Sequence, residues 1–304
     1  MDFLLRGWHS VIISDVLEDI RSAILVLAKD KENGMKIYEE VSQEILLSAR
    51  KDSWKKLKET LEASALKLKS IEIKMPVEKA VKVALVGEIY VRRDRFSRKK
   101  LVEKLAQKNI MVKVAPVEEW MYYLDYIQKH RFTLNSTFRD RISTSIKGFF
   151  KNYYEKTIKQ IFAKSGLYEY KVIEVNKIIS NVKDLISPAL TGEAILTIGS
   201  AITEIVDEVS GVISIGPFGC MPGRIAEAVI SEKMNTKKLL ISPNKQLIEK
   251  VMKKHPALPF LSIETDGNVF PQIIEAKLET FCLQVERLHQ SIEKIKNNIE
   301  EISS

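Results

Sequence analysis

The stretch "VKVALVGEIYVRRDRFSRKKLVEKLAQKNIMVKVAP", residues 81–116, carries the strongest signal of architecture in this chain. It opens on "VKVALVGEIYV" (81–91), an apolar run that takes in Gly87 and Glu88, continues with a helical period from Ser97 to Lys108, and closes on a second apolar run, "IMVKVAP". Continuous apolar runs bounded by glycine or proline read as strands buried on both faces. A strand, a helix and a strand within so short a span form a β-α-β unit, which belongs to parallel sheets. The expected class is therefore α/β.

Outward from this unit, residues 12–70 read as two long helices, and Pro76 breaks their period. Residues 118–187 are mostly helical and basic. The alternation then restarts. "GEAILTIGSAITEIVDE" reads as a helix, "GVISIGP" (211–217) as a strand, and "GRIAEAVISEKM" as a helix. "KKLLISP" (237–243) reads as a strand, "NKQLIEKVMKK" as a helix, "LPFLSIETD" as a strand, and residues 271–302 as one long helix. The expectation is two Rossmann-like parallel-sheet lobes with a helical N-terminal segment and a long C-terminal helix. The segment spans 1–75, lobe 1 spans 76–187 with a helical, basic insertion, and lobe 2 spans 188–304. Lobe 1 shows only two strands, too few to bury both faces. It must borrow structure from the N-terminal segment or complete its sheet with another chain.

The chain has 304 residues, 45% of them hydrophobic, enough for about two domains at ~150 residues each. Its first twenty residues interleave Asp2, Asp15, Glu18 and Asp19 with apolar positions, the pattern of neither a signal peptide nor a membrane span, so a cytoplasmic protein is expected. Two cysteines, Cys220 and Cys282, form no CxxC pair and cannot by themselves complete a metal site. His9, His130, His255 and His289 lack ligand spacing, and no Ser-His-Asp order stands out. Neither a GxxxxGK[ST] loop nor a GxGxxG fingerprint occurs, so this chain holds no nucleotide by those devices.

The net charge of +8 is concentrated: "RRDRFSRKK" (92–100) sets six cations against one acid, and a basic stretch runs from Lys129 to Lys171. Arg92 and Arg95 are thus candidates for an anionic cofactor, and coenzyme A would suit them; no membrane partner is expected. A solvated helix face explains the same pattern without any ligand. Nucleic acid is disfavoured, since no recognised motif and no aromatic interleaving accompany the charge.

In open parallel sheets, ligands collect beyond the carboxyl ends of the strands. Four loops qualify: "GEIYVRRDRFSR", "PVEEWMYY", "GPFGCMPGR" and "ETDGNVFPQ". They nominate Glu88, Tyr90, Glu119, Glu264 and Asp266 as candidate catalytic groups, with Trp120 beside them; helix capping is the plainer role for the acids. Cys220, just before a helix N-terminus and near Arg224, is placed for a lowered pKa and so for metal ligation or nucleophilic chemistry. It equally fits a small residue filling a tight turn. Cys282, mid-helix between Phe281 and Leu283, reads as structural.

"VALVGEIYVRRDRFSRKKLVEKL", "VAPVEEWMYY", "LTGEAILTIGSAITEI", "ISIGPFGCMPGRIAEAVIS" and "LPFLSIETDGNVFPQIIEAKLETF", in this order, resemble the carboxyl-terminal part of the large CoA-substrate-specific enzyme activase proteins. That part is similar to 2-hydroxyacyl-CoA dehydratase subunits and double-cubane cluster proteins. The resemblance covers about residues 10–290. It implies low-potential electron transfer driven by an ATPase activator, with an iron-sulfur cluster on the receiving protein. Of the three cysteines that such subunits supply per cluster, only Cys220, in its Cys-x-Pro setting, has a counterpart. Clusters want about four thiolates, so Cys220 would at most complete a cluster shared with a partner. The resemblance thus implies either a cluster-sharing component, dehydratase-like or reductase in type, or a non-catalytic scaffold that recognises an acyl-CoA or an activator protein. In both cases a homo- or hetero-oligomer is expected.

Overall fold

The computed structural model describes residues 3–130 and 138–303. In chain order its helices are α1 (Phe3–Leu27), α2 (Lys31–Lys51), α3 (Trp54–Lys69), α4 (Ile89–Arg93), α5 (Leu101–Gln107) and α6 (Glu118–Lys129). They continue with α7 (Phe138–Ala163), α8 (Val175–Val182), α9 (Ala194–Glu204), α10 (Met221–Ile241), α11 (Lys245–Lys254) and α12 (Gln272–Ser303). The strands are β1 (Lys82–Gly87), β2 (Met111–Val114), β3 (Val212–Pro217) and β4 (Phe260–Thr265). The fold is mixed α/β, with a helical N-terminus and a long C-terminal helix. Two units form: Met1–Ala80 with Pro116–Val175, and Val81–Ala115 with Asn176–Ser304.

The first unit is helical. Ile12, Val16, Ile20, Ile24 and Leu27 bury one stripe of α1, and Asp30 caps α2 by accepting from the Asn33 N–H at 3.0 Å. The basic helical insertion belongs here, packing α6 and α7 on α1.

The second unit holds the sheet. All four strands are parallel, in the order β2-β1-β3-β4. The strands assigned to two lobes therefore join in one sheet: Ala84 of β1 lies opposite Val212 of β3, and the pairing runs to Gly87 and Ile215. β1 completes its surroundings with β3, not with the N-terminal segment or a second chain. The strand expected at 237–243 is absent; α10 runs through to Ile241. Its buried positions Ala226, Ile230, Met234 and Lys238 recur every four residues, so the helical stripe simply continues.

The crossovers from β1 to β2 and from β3 to β4 run in opposite directions across the sheet, and since such crossovers in parallel sheets are right-handed, their helices go to opposite faces. α5 and α12 are tied by Lys104–Glu275 and by Lys108–Glu279 at 2.7 Å. α9 and α10 pack together on the other face, where the Lys238 ammonium donates to the Thr203 carbonyl at 2.7 Å. No helix among the described residues is long and apolar enough to cross a membrane.

Candidate functional site

Strand order reverses between β1 and β3, and the crevice at the carboxyl ends of those two strands is where open α/β sheets take ligands. The backbones are very close there. Gly87 ends β1 at φ +107°, and a Cβ on it would lie 2.1 Å from the Ile215 carbonyl oxygen. The next residue, Glu88, donates its N–H to that same oxygen at 2.9 Å. A Cβ on Gly216 would lie 3.8 Å from the Cβ atoms of both Cys220 and Glu88, so these two side chains start on either side of one glycine.

Cys220 is half-buried and occupies the N-cap position of α10 without a capping side-chain bond. Its Sγ sits 3.6 Å from the point a Cβ on Gly223 would take. With Pro222 in the first turn, this helix start offers few N–H groups and no side-chain cap. Arg224, one turn on, is not aimed at the thiol: it pairs with Glu264 at 2.5 Å and Glu227 at 3.1 Å. Glu264 also accepts from the Gly219 N–H at 3.2 Å, and Phe218 N–H reaches the Thr265 carbonyl at 3.0 Å. Glu264 and Arg224 thus pin the Cys220 loop to the end of β4.

Glu88 serves as the N-cap of α4, accepting from the Val91 N–H at 2.7 Å. A second carboxylate, Glu193, accepts from the Ile89 N–H at 3.2 Å, and burial together with nearby Glu88 raises its pKa. Sequence pattern gave no sign of Glu193, because it reaches α4 from the start of α9, about a hundred residues downstream. Asp266 closes a local turn onto Asn268, whose side-chain and backbone bonds lower the carboxyl pKa. Tyr90 and Arg95 are exposed.

Arg92 is buried, and its guanidinium donates to the Gly87 carbonyl at 2.9 Å. Arg98, also buried, donates to the Arg92 carbonyl at 3.0 Å. Lys99 lies over the Phe96 ring at 3.8 Å and donates to the Gly267 carbonyl. The basic run is therefore neither a plain solvated face nor a phosphate cradle built on Arg92; it locks the loop after β1, and Thr265 Oγ1, donating to the Ser97 carbonyl at 3.1 Å, ties β4 to the same loop.

Three of the four nominated loops thus meet at one edge. The fourth belongs to the helical unit, where Glu119 is buried and Trp120 packs edge-on to Tyr123 at 5.7 Å. Its neighbour Glu118 is buried with Lys159 and Glu155; its N–H donates to Asp15 at 3.0 Å, and desolvation pushes its carboxyl up to about 8. Lys159 pairs with Glu155 at 2.7 Å, and the Tyr122 hydroxyl donates to Glu155 at 2.5 Å.

The donor set does not fit a complete iron-sulfur cluster. Cys220 offers one thiol, Cys282 is buried in α12 with its thiol pushed up to about 11 by burial, and no group of three potential ligands occurs among the described residues. No protein-family model, curated protein or solved structure matches the chain.

Proposed function

We propose that the chain is a non-catalytic binding subunit whose sheet unit docks a protein at the carboxyl edge around Cys220. The observation that carries this is the rim of that edge. Tyr90 and Phe96 after β1, Phe218 and Met221 after β3, and Val269 after β4 are all exposed, Phe218 by 76% and Val269 by 81%. Large apolar side chains gathered at one end of a sheet mark an interaction surface. The polar groups between them are engaged in holding the loops, as Glu264, Arg224 and Glu88 show.

The five sequence motifs that resemble activase and dehydratase proteins support a partner of that system, an ATPase activator or a dehydratase-like subunit. A second reading, that Cys220 gives one thiolate to a cluster otherwise held by the partner, is favoured by one feature: the thiol is half-exposed at an uncapped helix start. An acyl-CoA would meet Arg95 and Lys100, which face solvent, and not Arg92.

The test is binding of a purified activator or dehydratase-like subunit, without oxygen, to the wild-type chain and to Phe218→Asp and Met221→Asp. Loss of binding in both variants, with unchanged melting, supports the docking edge. Unaltered binding in both, or no binding by the wild type, contradicts it. Iron retained by the isolated chain would contradict the single-donor assignment as well.

A further inference from the structure

The sheet ends in two unlike edges. β2 is four residues long and carries Lys113, whose ammonium pairs with Glu208 at 2.8 Å; short edges bearing lysine resist pairing with another chain. β4 is six residues long, "FLSIET", with neither lysine nor proline, and its single charge, Glu264, is tied to Arg224. Bonds at its two ends, from the Val212 N–H to the Pro259 carbonyl and from the Phe218 N–H to the Thr265 carbonyl, both 3.0 Å, fix the parity of the ladder. The odd-numbered residues of β4 face β3, and the N–H and C=O groups of Phe260, Ser262 and Glu264 point to the open edge. A groove of about 460 Å³ lies along it, between Glu227 and Ser231 of α10 and the residues of α12 around Thr280. Beside that groove α12 presents Ile273, Ala276, Thr280 and Leu283, all exposed and at helical spacing.

We infer that this edge pairs with the β4 edge of a second copy of the chain, antiparallel about a two-fold axis through Ser262. The edge is self-complementary about that residue. Ser262 meets Ser262, Phe260 meets Glu264, and the outward backbone groups of these residues form hydrogen-bonded pairs. A slip of one residue would set outward groups against inward ones. A six-residue edge alone falls short of the ~1,200 Å² that stable interfaces bury. The same axis lays α12 antiparallel to its mate and covers the Ile273 to Leu283 stripe. Two four-stranded sheets become one, and the edges left open are the two protected β2 strands. The inference is independent of the partner proposed for the carboxyl edge.

Sedimentation equilibrium of the full chain over a range of concentration tests it. The wild type is expected at twice the single-chain mass of 34.7 kDa. Ser262→Pro removes an outward N–H and leaves the ladder to β3 intact, so it should give a folded monomer. Ser262→Lys should do the same by placing a charge on the edge, and it serves if the proline variant does not fold. Ser262→Cys in a Cys220→Ser background should cross-link copy to copy on mild oxidation, because residues in such pairs lie about 5.5 Å apart at Cα. A monomeric wild type, a dimer that survives both the proline and the lysine change, or a failure to cross-link at 262 overturns the inference. So does a monomer that takes up an added extended peptide at β4.

Discussion

Gly87 and Gly219 both sit at positive φ, +107° and +73°, but only Gly87 is crowded, by the Ile215 backbone. Gly219→Ala should therefore cost about 1 kcal/mol, the conformational penalty alone. Gly87→Ala should cost more, about 3 kcal/mol, because β1 must move off β3 as well. Urea denaturation of the two variants checks this, and equal losses would contradict the steric account. Cys220 and its loop were legible in the sequence, since an apolar run followed by glycine, proline and a helical period marks the end of a parallel strand. The fate of the neighbouring charges was not. Arg92 follows the same pattern as Arg95 in sequence, yet one is buried against Gly87 and the other is exposed. What separates them is the contact of Arg92 with the Gly87 carbonyl, which the local charge pattern does not announce.

Helix α10 explains both a success and a failure of pattern reading. Its start was clear from Pro222 and Gly223 following a strand, whereas "KKLLIS" resembles a short strand when read apart from the stripe that precedes it. Lys238 obscures the helical period because a lysine occupies a core position, where its ammonium pairs with Asp207 at 2.7 Å. Burial lowers the pKa of this lysine. Asp207→Ala, which strands the ammonium, should destabilise by about 2 kcal/mol, less than for a wholly buried pair because Asp207 keeps some contact with water. Lys238→Met should cost less, since it removes the buried charge while keeping an unbranched side chain of similar length. Thermal melts rank the two; the reverse order would show that packing of the lysine stem, and not its charge, matters. The four strands could be placed from periodicity, but the two helices expected over residues 12–70 are three, because Asp52 and Ser53 separate α2 from α3, and α4 occupies the end of what reads as the first strand. The joining of β1 to β3 could not be placed, because more than a hundred residues, β2 among them, separate the two strands.

The two units should respond differently to pH. His9 is buried against Trp54 and Tyr154, with ring centroids 4.6 and 4.2 Å away, and desolvation lowers its pKa from 6.5 to about 4. A depressed histidine contributes stability that is present above pH 6.5 and is lost as pH falls toward 4. Glu118 is raised from 4.5 to about 8 by desolvation, so its contribution is full below 4.5 and is lost as pH rises through 8. Both belong to the helical unit. Between pH 4.5 and 6.5 their slopes oppose and cancel, so its stability should fall above 6.5, where only Glu118 acts, and over a narrower span below 4.5, where only His9 acts, by up to ~1.4 kcal/mol per pH unit. Trp8, Trp54 and Trp120 are the chain's three tryptophans and all lie in that unit, so fluorescence-monitored denaturation reads it selectively. His9→Phe should flatten the acid side and Glu118→Gln the alkaline side; a profile unchanged by either would contradict the assignment. For the sheet unit, the decisive quantity is the labelling rate of its thiols by a maleimide, without oxygen, with and without a purified activator or dehydratase-like subunit. Cys220 should label and Cys282 should not, and the partner should protect Cys220 from the reagent. A bound partner that leaves Cys220 labelling at its free rate would place the interface elsewhere and contradict the docking edge.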